Sequence, residues 1–556
     1  MKFPMQLLVG LLSMALNATI VAFAALLLLV ASGGLDSDDP VPEDDDVPAP
    51  AVVVAASDMP RDVVVELFEW RWDDIAVECE TFLGPRGFAA VQVSPPNEHR
   101  VVAGYPWWQR YEPVSFALTS RGGDENAFAD MVRRCAAAGV EVYVDAVINN
   151  MTGPALADDP LWGTGSAGSH YDYYDYPGLL QQDFHSPRCA VAGRYDNRAA
   201  VQRCNLLGRA DLNTEADPVQ NRVGAYLNRL LDLGVSGFRI DAANYMASGD
   251  IAGILARVEG LPFVYQAVDD GPGQAVRALE YLGNGAVTEQ DYGRRLATAF
   301  RSGNIAELRN MRPGLGADDL VPSDQALVFV DSHETRRAQT AAGRGADAML
   351  TPGDGAVYDL ANVFMLAWPY GTARIMSGYD FSDPNAGPPS ADDGTTLRVH
   401  GPNGLGCTTA WRCEHRRAAI VGMVGFRNHT DGAKVANWWS DDAGGRIAFA
   451  RGERGFVAIN ATDEPMRQWL RTGLPAGRYC NAVAARLEDG RCRPAEPAKA
   501  GDAAATAAPA GASGGASAPG IEVTVGKDTS ATFELPPRSA AAIYVGLQPT
   551  ADPVPR

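Results

Sequence analysis

Lysine is almost missing from this chain: four of its 47 bases are lysine and the rest arginine, a bias of composition that carries no function. No basic tract gathers those arginines. Acids outnumber bases 68 to 47, giving a formal net charge of −21. With nothing to neutralise phosphates, binding to nucleic acid or to an anionic membrane surface is excluded. The eight cysteines form no CxxC pair and no Cys/His cluster, which argues against a zinc site. Collagen-like repeats, heptads and wholesale disorder are equally absent, since 46% of the residues are hydrophobic and 21% charged.

What is present begins with an apolar run from Leu7 to Ala31. It exceeds a typical signal-peptide core and is long enough to span a bilayer. The small residues Val30-Ala31-Ser32-Gly33-Gly34 offer a cleavage site, so residues 1–34 read as a cleaved signal or a retained membrane anchor. Either one exports the chain, to the outside, the periplasm or the cell envelope. Residues 35–60 mix acids, proline, valine and alanine without periodicity and read as a flexible linker. Seven of the acids lie between Asp36 and Asp46, so the folded body is less acidic than the total. The even cysteine count fits disulfides and an oxidising compartment, although spacing alone leaves their pairing open.

From residue 61 short apolar strands alternate with helical stretches. Val63–Phe68, Ala89–Val93, Glu141–Val147, Gly237–Ile240, Phe263–Val268, Leu327–Val330 and Arg374–Met376 are strand-like. Ala127–Ala138 and Val219–Leu233 are helical candidates between them. That order implies a parallel sheet, and the spacing implies a (β/α)8 barrel. Asp241 to Ala267 is one barrel unit, and Ala267 to Glu334 is long enough for two. Asp145 to Asp241 is far too long for one, so a lobe covering residues 149–212 is inserted there. The barrel then comprises 61–148 and 213–430. Beyond it, residues 431–548 alternate like antiparallel strands and form a separate β domain, with 494–520 a low-complexity loop within it.

Polar groups gather at the carboxyl ends of the barrel strands, where such barrels carry their active sites. Gly237-Phe238-Arg239-Ile240-Asp241 puts Arg239 and Asp241 on one side of a strand. Val330-Asp331-Ser332-His333-Glu334 supplies acids and a histidine at another strand end, and Asp145 lies near the end of a third. A lone Arg–Asp pair reads as a structural ion pair, but several carboxylates at one barrel mouth read as chemistry.

These segments, with Leu67–Trp72, Val91–Glu98, Tyr143–Asn149 and Ala326–Asp331, strongly resemble the alpha-amylases of the animal type, from about residue 62 to 548. The resemblance implies a (β/α)8 barrel, a lobe after its third strand and a C-terminal antiparallel β domain. It also implies disulfides Cys79–Cys135, Cys189–Cys204, Cys407–Cys413 and Cys480–Cys492, with one further family bridge absent. The family cuts an α-1,4-glucan with retention. One carboxylate attacks the anomeric carbon while a second carboxylic acid protonates the leaving oxygen and then activates water. The nucleophile falls on Asp241, with Arg239 beside it. The acid/base position falls on Ala267, where the family has Glu. The third acid, normally Asp, is Glu334. Asp145, His333 and the aromatic group Trp107, Trp108 and Tyr111 match substrate-contacting positions. Calcium is implied at Asn149 and Asp211, with backbone carbonyls at Gln202 and Tyr245. Chloride is implied at Arg239 and Arg374, but its asparagine is Ser332. Asn150 and Asn244-Tyr245 also depart from the family pattern.

Alanine neither gives a proton to a glycosidic oxygen nor activates water. Three readings follow. The chain is an amylase-type hydrolase working through a substitute acid such as Asp269, a glucan-binding protein with its hydrolysis lost, or an envelope interaction protein that uses the barrel as a body. Ala267 favours the second.

Overall fold

The computed structural model describes residues 61–154, 160–271, 273–313, 319–342, 348–401, 406–495 and 520–550. The apolar run, the acidic linker and most of the low-complexity loop lie outside them. Among the described residues, no helix is long and apolar enough to cross a membrane.

Eight parallel strands close into a barrel: β1 (Val63–Leu67), β2 (Ala90–Val93), β3 (Glu141–Ala146), β4 (Gly237–Ile240), β5 (Phe263–Gln266), β6 (Ala286–Thr288), β7 (Ala326–Phe329) and β8 (Thr372–Ser377). β1 pairs with both β2 and β8, which leaves no open edge. Seven of these strands stand where the apolar runs place them. β6 is the eighth, and at three residues it is too short to show a period of its own. It supplies the second unit that the interval from Ala267 to Glu334 calls for.

The helices that wrap the barrel follow from apolar spacing. Glu125–Ala137 buries Phe128, Met131, Val132 and Cys135, a stripe at steps of three and four residues, and Asp124 caps it by accepting from the Ala127 N–H at 2.9 Å. Asp217–Asp232 buries Val219, Val223, Tyr226, Leu227 and Leu230 in the same way. Gly237 opens β4 because space is lacking there: a Cβ would stand 2.6 Å from the Phe263 carbonyl oxygen.

Side chains fill the barrel in layers. Val64, Ala90, Tyr143, Tyr265, Ala286, Leu327 and Phe329 make an apolar cluster. Two residues further along the inward faces come Glu66, Gln92, Asp145 and Arg239, all buried. Asp241 and Ala267 follow at the mouth. After β3 the chain makes an excursion that holds the ribbon Gly163–Thr164/His170–Tyr171 and the helix Arg198–Arg203. Its two ends run side by side: Met151 N–H donates to Ala210 O, and Leu212 N–H to Asn149 O, both at 2.9 Å.

Past the helix Ala418–His429 the described chain is β structure. Val435–Ser440, Arg446–Arg451, Gly455–Asn460 and Ser539–Tyr544 form a four-stranded antiparallel sheet, accompanied by three two-stranded pairs. This domain has its own core, with Phe456, Leu470, Tyr479, Phe533 and Ile543 among its residues. The four disulfides join the pairs that the resemblance implied.

Candidate active site

The register of β4 and β5 sets the heart of the site. Ile240 pairs with Gln266, and the Ala267 N–H donates to Ile240 O at 2.9 Å. The next residues up, Asp241 and Ala267, are therefore neighbours on adjacent strands. Adjacent strands lie ~4.8 Å apart, so a carboxyl at either position would reach one glycosidic bond. Only Asp241 carries one.

Both line a cleft of about 870 Å³, together with Trp107, Trp108, Tyr111, Tyr245, Asp269, His333 and Glu334. Asp145 and Arg239 lie just beneath it, buried. Arg239 holds the carboxylates together: its Nη1 donates to Asp241 Oδ1 at 2.7 Å and to Asp145, and its Nη2 to Glu334 Oε1 at 3.4 Å. Burial works against the guanidinium charge, but Asp145, Glu334 and Asp241 outweigh it and raise its pKa well above the ordinary value. Asp145 also accepts from the Tyr111 hydroxyl at 2.7 Å, and burial pushes its pKa up. Glu334 is the exposed acid of the group, its side chain half accessible.

His333 sits between rings, stacked on Phe68 at 4.6 Å and on Tyr111 at 5.3 Å. Its Nδ1 donates to Glu66 Oε1 at 2.6 Å, leaving the buried Nε2 without a hydrogen-bond partner, 4.0 Å from Glu334 Oε1. That nitrogen is free for a sugar hydroxyl. Trp107 and Trp108 are pinned through their indole N–H groups, to Pro384 O at 2.9 Å and Asn385 Oδ1 at 3.2 Å. Trp107 is half-buried with its ring edge against Tyr111, whereas Trp108 shows only 9% of its surface.

Asp269 also lines the cleft, but its Oδ1 accepts from Arg294 Nη2 at 3.3 Å. The Arg294 guanidinium thus engages the carboxyl that would have to stand in for the missing acid.

The implied calcium residues come together in two pairs. Asn149 and Asp211 lie on the two ends of the excursion, and Gln202 sits on a helix packed against the turn that carries Tyr245. Asp211 is buried, accepts from His185 Nδ1 at 2.6 Å, and has its pKa pushed up to about 6 by burial. The Asn149 side chain hydrogen-bonds the Asp211 carboxyl, which works against that rise. A hard cation would supply the charge this pocket lacks, and Gln202 lies in the last turn of its helix, where carbonyls lack intrahelical partners. Two side-chain oxygens with two backbone carbonyls are the kind of set calcium takes, although among the described residues no cluster of three or more His, Cys, Asp or Glu side chains could hold a metal. An oxygen set of this kind does not need one.

Reading along the chain missed several residues of the site: Glu66, Gln92, Asn385 and Arg294. Glu66 carried a signal, being a lone charge at an inward position of an otherwise apolar strand.

A barrel with carboxylates and aromatic rings at one mouth, followed by an antiparallel β domain, defines a glycosidase architecture. Residues 87–275 match the alpha amylase catalytic domain and 438–546 the alpha amylase C-terminal all-beta domain. Alpha-amylase of Tenebrio molitor is 44% identical over 448 residues, covering 78% of this chain and 91% of its own. Pancreatic alpha-amylase 2a5 of Mus musculus is 42% identical over 461 residues, covering 78% and 89%. The crystal structure of alpha-amylase I from Eisenia fetida superposes with a TM-score of 0.76 at 38% identity, covering 88% of this chain and 98% of that one. The chain belongs to the alpha-amylase family.

Proposed function

We propose that this chain is an exported binder of α-1,4-glucans, a member of the amylase family whose hydrolytic step is crippled. The observation that carries the reading is Ala267 beside Asp241 on the cleft wall. In retaining hydrolysis Asp241 attacks the anomeric carbon, and a partner must protonate the leaving oxygen and later deprotonate water. A methyl group does neither. General acid–base help is worth about 10²–10⁴-fold, and both steps need it here. Arg239 holds the Asp241 carboxyl in place through its hydrogen bond, Glu334 and His333 hold sugar hydroxyls, and the Trp107 and Trp108 rings face the glucan. A crystal structure of a mutant of the Eisenia fetida enzyme is a maltohexaose complex, covering 87% of this chain, which supports a maltooligosaccharide in the equivalent cleft.

Calcium at Asn149, Asp211, Gln202 and Tyr245 would tie the excursion after β3 to the barrel. Four disulfides support export. The rival reading, an active hydrolase using Asp269 as acid, is weakened by the Arg294 pairing.

The test is calorimetric titration with maltoheptaose beside a long incubation with soluble starch in which reducing ends are counted. Binding is expected, weakened at least tenfold by Trp107→Ala with Trp108→Ala, and turnover no faster than in Asp241→Ala. Absence of binding, or binding indifferent to the two tryptophans, would refute the reading. Brisk turnover would hand the site to the rival.

A further inference from the structure

The layer beneath the cleft holds a carboxylate that no role so far has used. Glu66 is fully buried on β1, with Oε1 taken by His333 and Oε2 unpartnered, 3.6 Å from Arg374 Nη1. Arg374 lies on the neighbouring strand β8, in register with Val64, its Nη1 donating to Gln92 Oε1 at 3.0 Å. The Nε groups of Arg374 and Arg239 are both buried without partners. Two orphaned guanidinium donors are what an anion site between these arginines would show. Here, though, an orphaned carboxylate oxygen already stands beside one of them.

We propose that Glu66 is a built-in counter-anion for the Arg239 and Arg374 guanidinium groups, so that this chain does not take the exchangeable chloride its family resemblance implies. Three observations carry the proposal. The charges balance without a halide: the buried cations Arg239 and Arg374 face the buried carboxylates Glu66, Asp145 and Asp241, leaving no surplus positive charge for another anion. The third chloride position is turned to another task, because the Ser332 hydroxyl accepts from the Thr335 N–H at 3.2 Å at the start of a helix. Finally, a halide between the arginines would face the Glu66 Oε2 lone pair with little water to screen it. The Glu66 carboxyl is itself firmly ionised: burial works to raise its pKa, and Arg374 and His333 outweigh that and bring it down to about 2.

The same carboxylate orients His333. By accepting from Nδ1 it fixes the tautomer and leaves Nε2 turned to the cleft. One acidic side chain thus links the arginine pair to a substrate-facing ring, where a free halide would have to be captured first.

The experiment needs neither turnover nor glucan, so its outcome is separate from that of the binding test. The melting temperature of the full chain is followed as sodium gluconate is replaced by sodium chloride at constant ionic strength. No saturable change is expected, and crystals soaked in bromide should show no anomalous peak between Arg239 and Arg374. In Glu66→Gln the counter-charge is gone. Its melting temperature should fall by roughly 3–10 °C and climb back in part, saturably, with chloride. A bromide peak or a saturable chloride response in the unmodified protein overturns the proposal. A folded Glu66→Gln that ignores chloride overturns it too, and if that variant does not fold, the halide titration and bromide soak of the unmodified chain decide alone.

Discussion

A methyl group in place of a proton carrier makes a prediction with a large signal. Around Ala267 the rest of the cleft is assembled: Asp241 is held by Arg239, His333 is wedged between rings, and the two tryptophans are anchored by their N–H groups. If only the acid is missing, Ala267→Glu should raise starch hydrolysis by at least about 10²-fold over the unmodified chain, measured as reducing ends released. No gain, with maltoheptaose binding intact, would mean that other departures such as Glu334 or Tyr245 have also spoiled the geometry. Asp241, Arg239 and His333 were legible in the sequence because strand-end motifs announce chemistry at a barrel mouth, whereas the tryptophans and the Ala267 position were legible only through the family resemblance. The layer below was not, since Glu66 and Gln92 lie within apolar strands and their partners Arg374 and Tyr265 arrive from strands far along the chain. Only closure of the barrel makes them neighbours.

Elements join through buried charge. Glu78 ends the helix Trp72–Glu78 and is fully buried, with Oε1 accepting from Arg416 Nε at 2.8 Å and from His415 Nε2 at 2.7 Å. It thereby ties the first helix of the barrel to the turn that precedes the last. His415 is buried and its pKa is lowered, so the ring is neutral, and its Nδ1 accepts from the Ser377 hydroxyl at 2.6 Å. Burial works to raise the Glu78 pKa, yet His415 and Arg416 bring it down to about 2, below the ordinary 4.5. A depressed carboxyl pKa stabilises the fold fully above the ordinary value, and the contribution is lost as the pH falls through the depressed one. Glu78→Gln should cost roughly 2–3 kcal/mol at pH 7, with the deficit shrinking between about pH 4.5 and 2. Calorimetric melting across that range is the check, and a gap that stays constant to pH 2 would show that the ionised form is not what joins the elements. The barrel strands were readable because each is an apolar run between turn signals. β6 escaped by its brevity, and several strands of the β domain, such as Met466–Arg471, escaped because their exposed faces carry arginine, glutamine and tryptophan.

At the scale of the molecule, long-range closures hold the fold together. Cys79–Cys135 links the first two helices across 56 residues, and Cys189–Cys204 closes a loop of 15 within the excursion after β3. Loop-closure entropy makes the longer link worth more, about 4 kcal/mol against about 3. Cys79→Ser with Cys135→Ser should therefore lower the melting temperature more than Cys189→Ser with Cys204→Ser. The reverse order would mean that the excursion, not the barrel, limits stability. Calcium at Asn149 and Asp211 would act at the base of that excursion, where its two ends meet beside the cleft. Chelation at neutral pH should then lower the melting temperature and weaken maltoheptaose binding together, because Leu206, Leu207 and Arg209 on the returning segment line the cleft. Asn149→Ala should reproduce both effects and abolish the response to the chelator. A chelator effect that survives Asn149→Ala would place the ion elsewhere, and an unmodified chain indifferent to chelation would mean that the His185–Asp211 pair alone holds the two ends together.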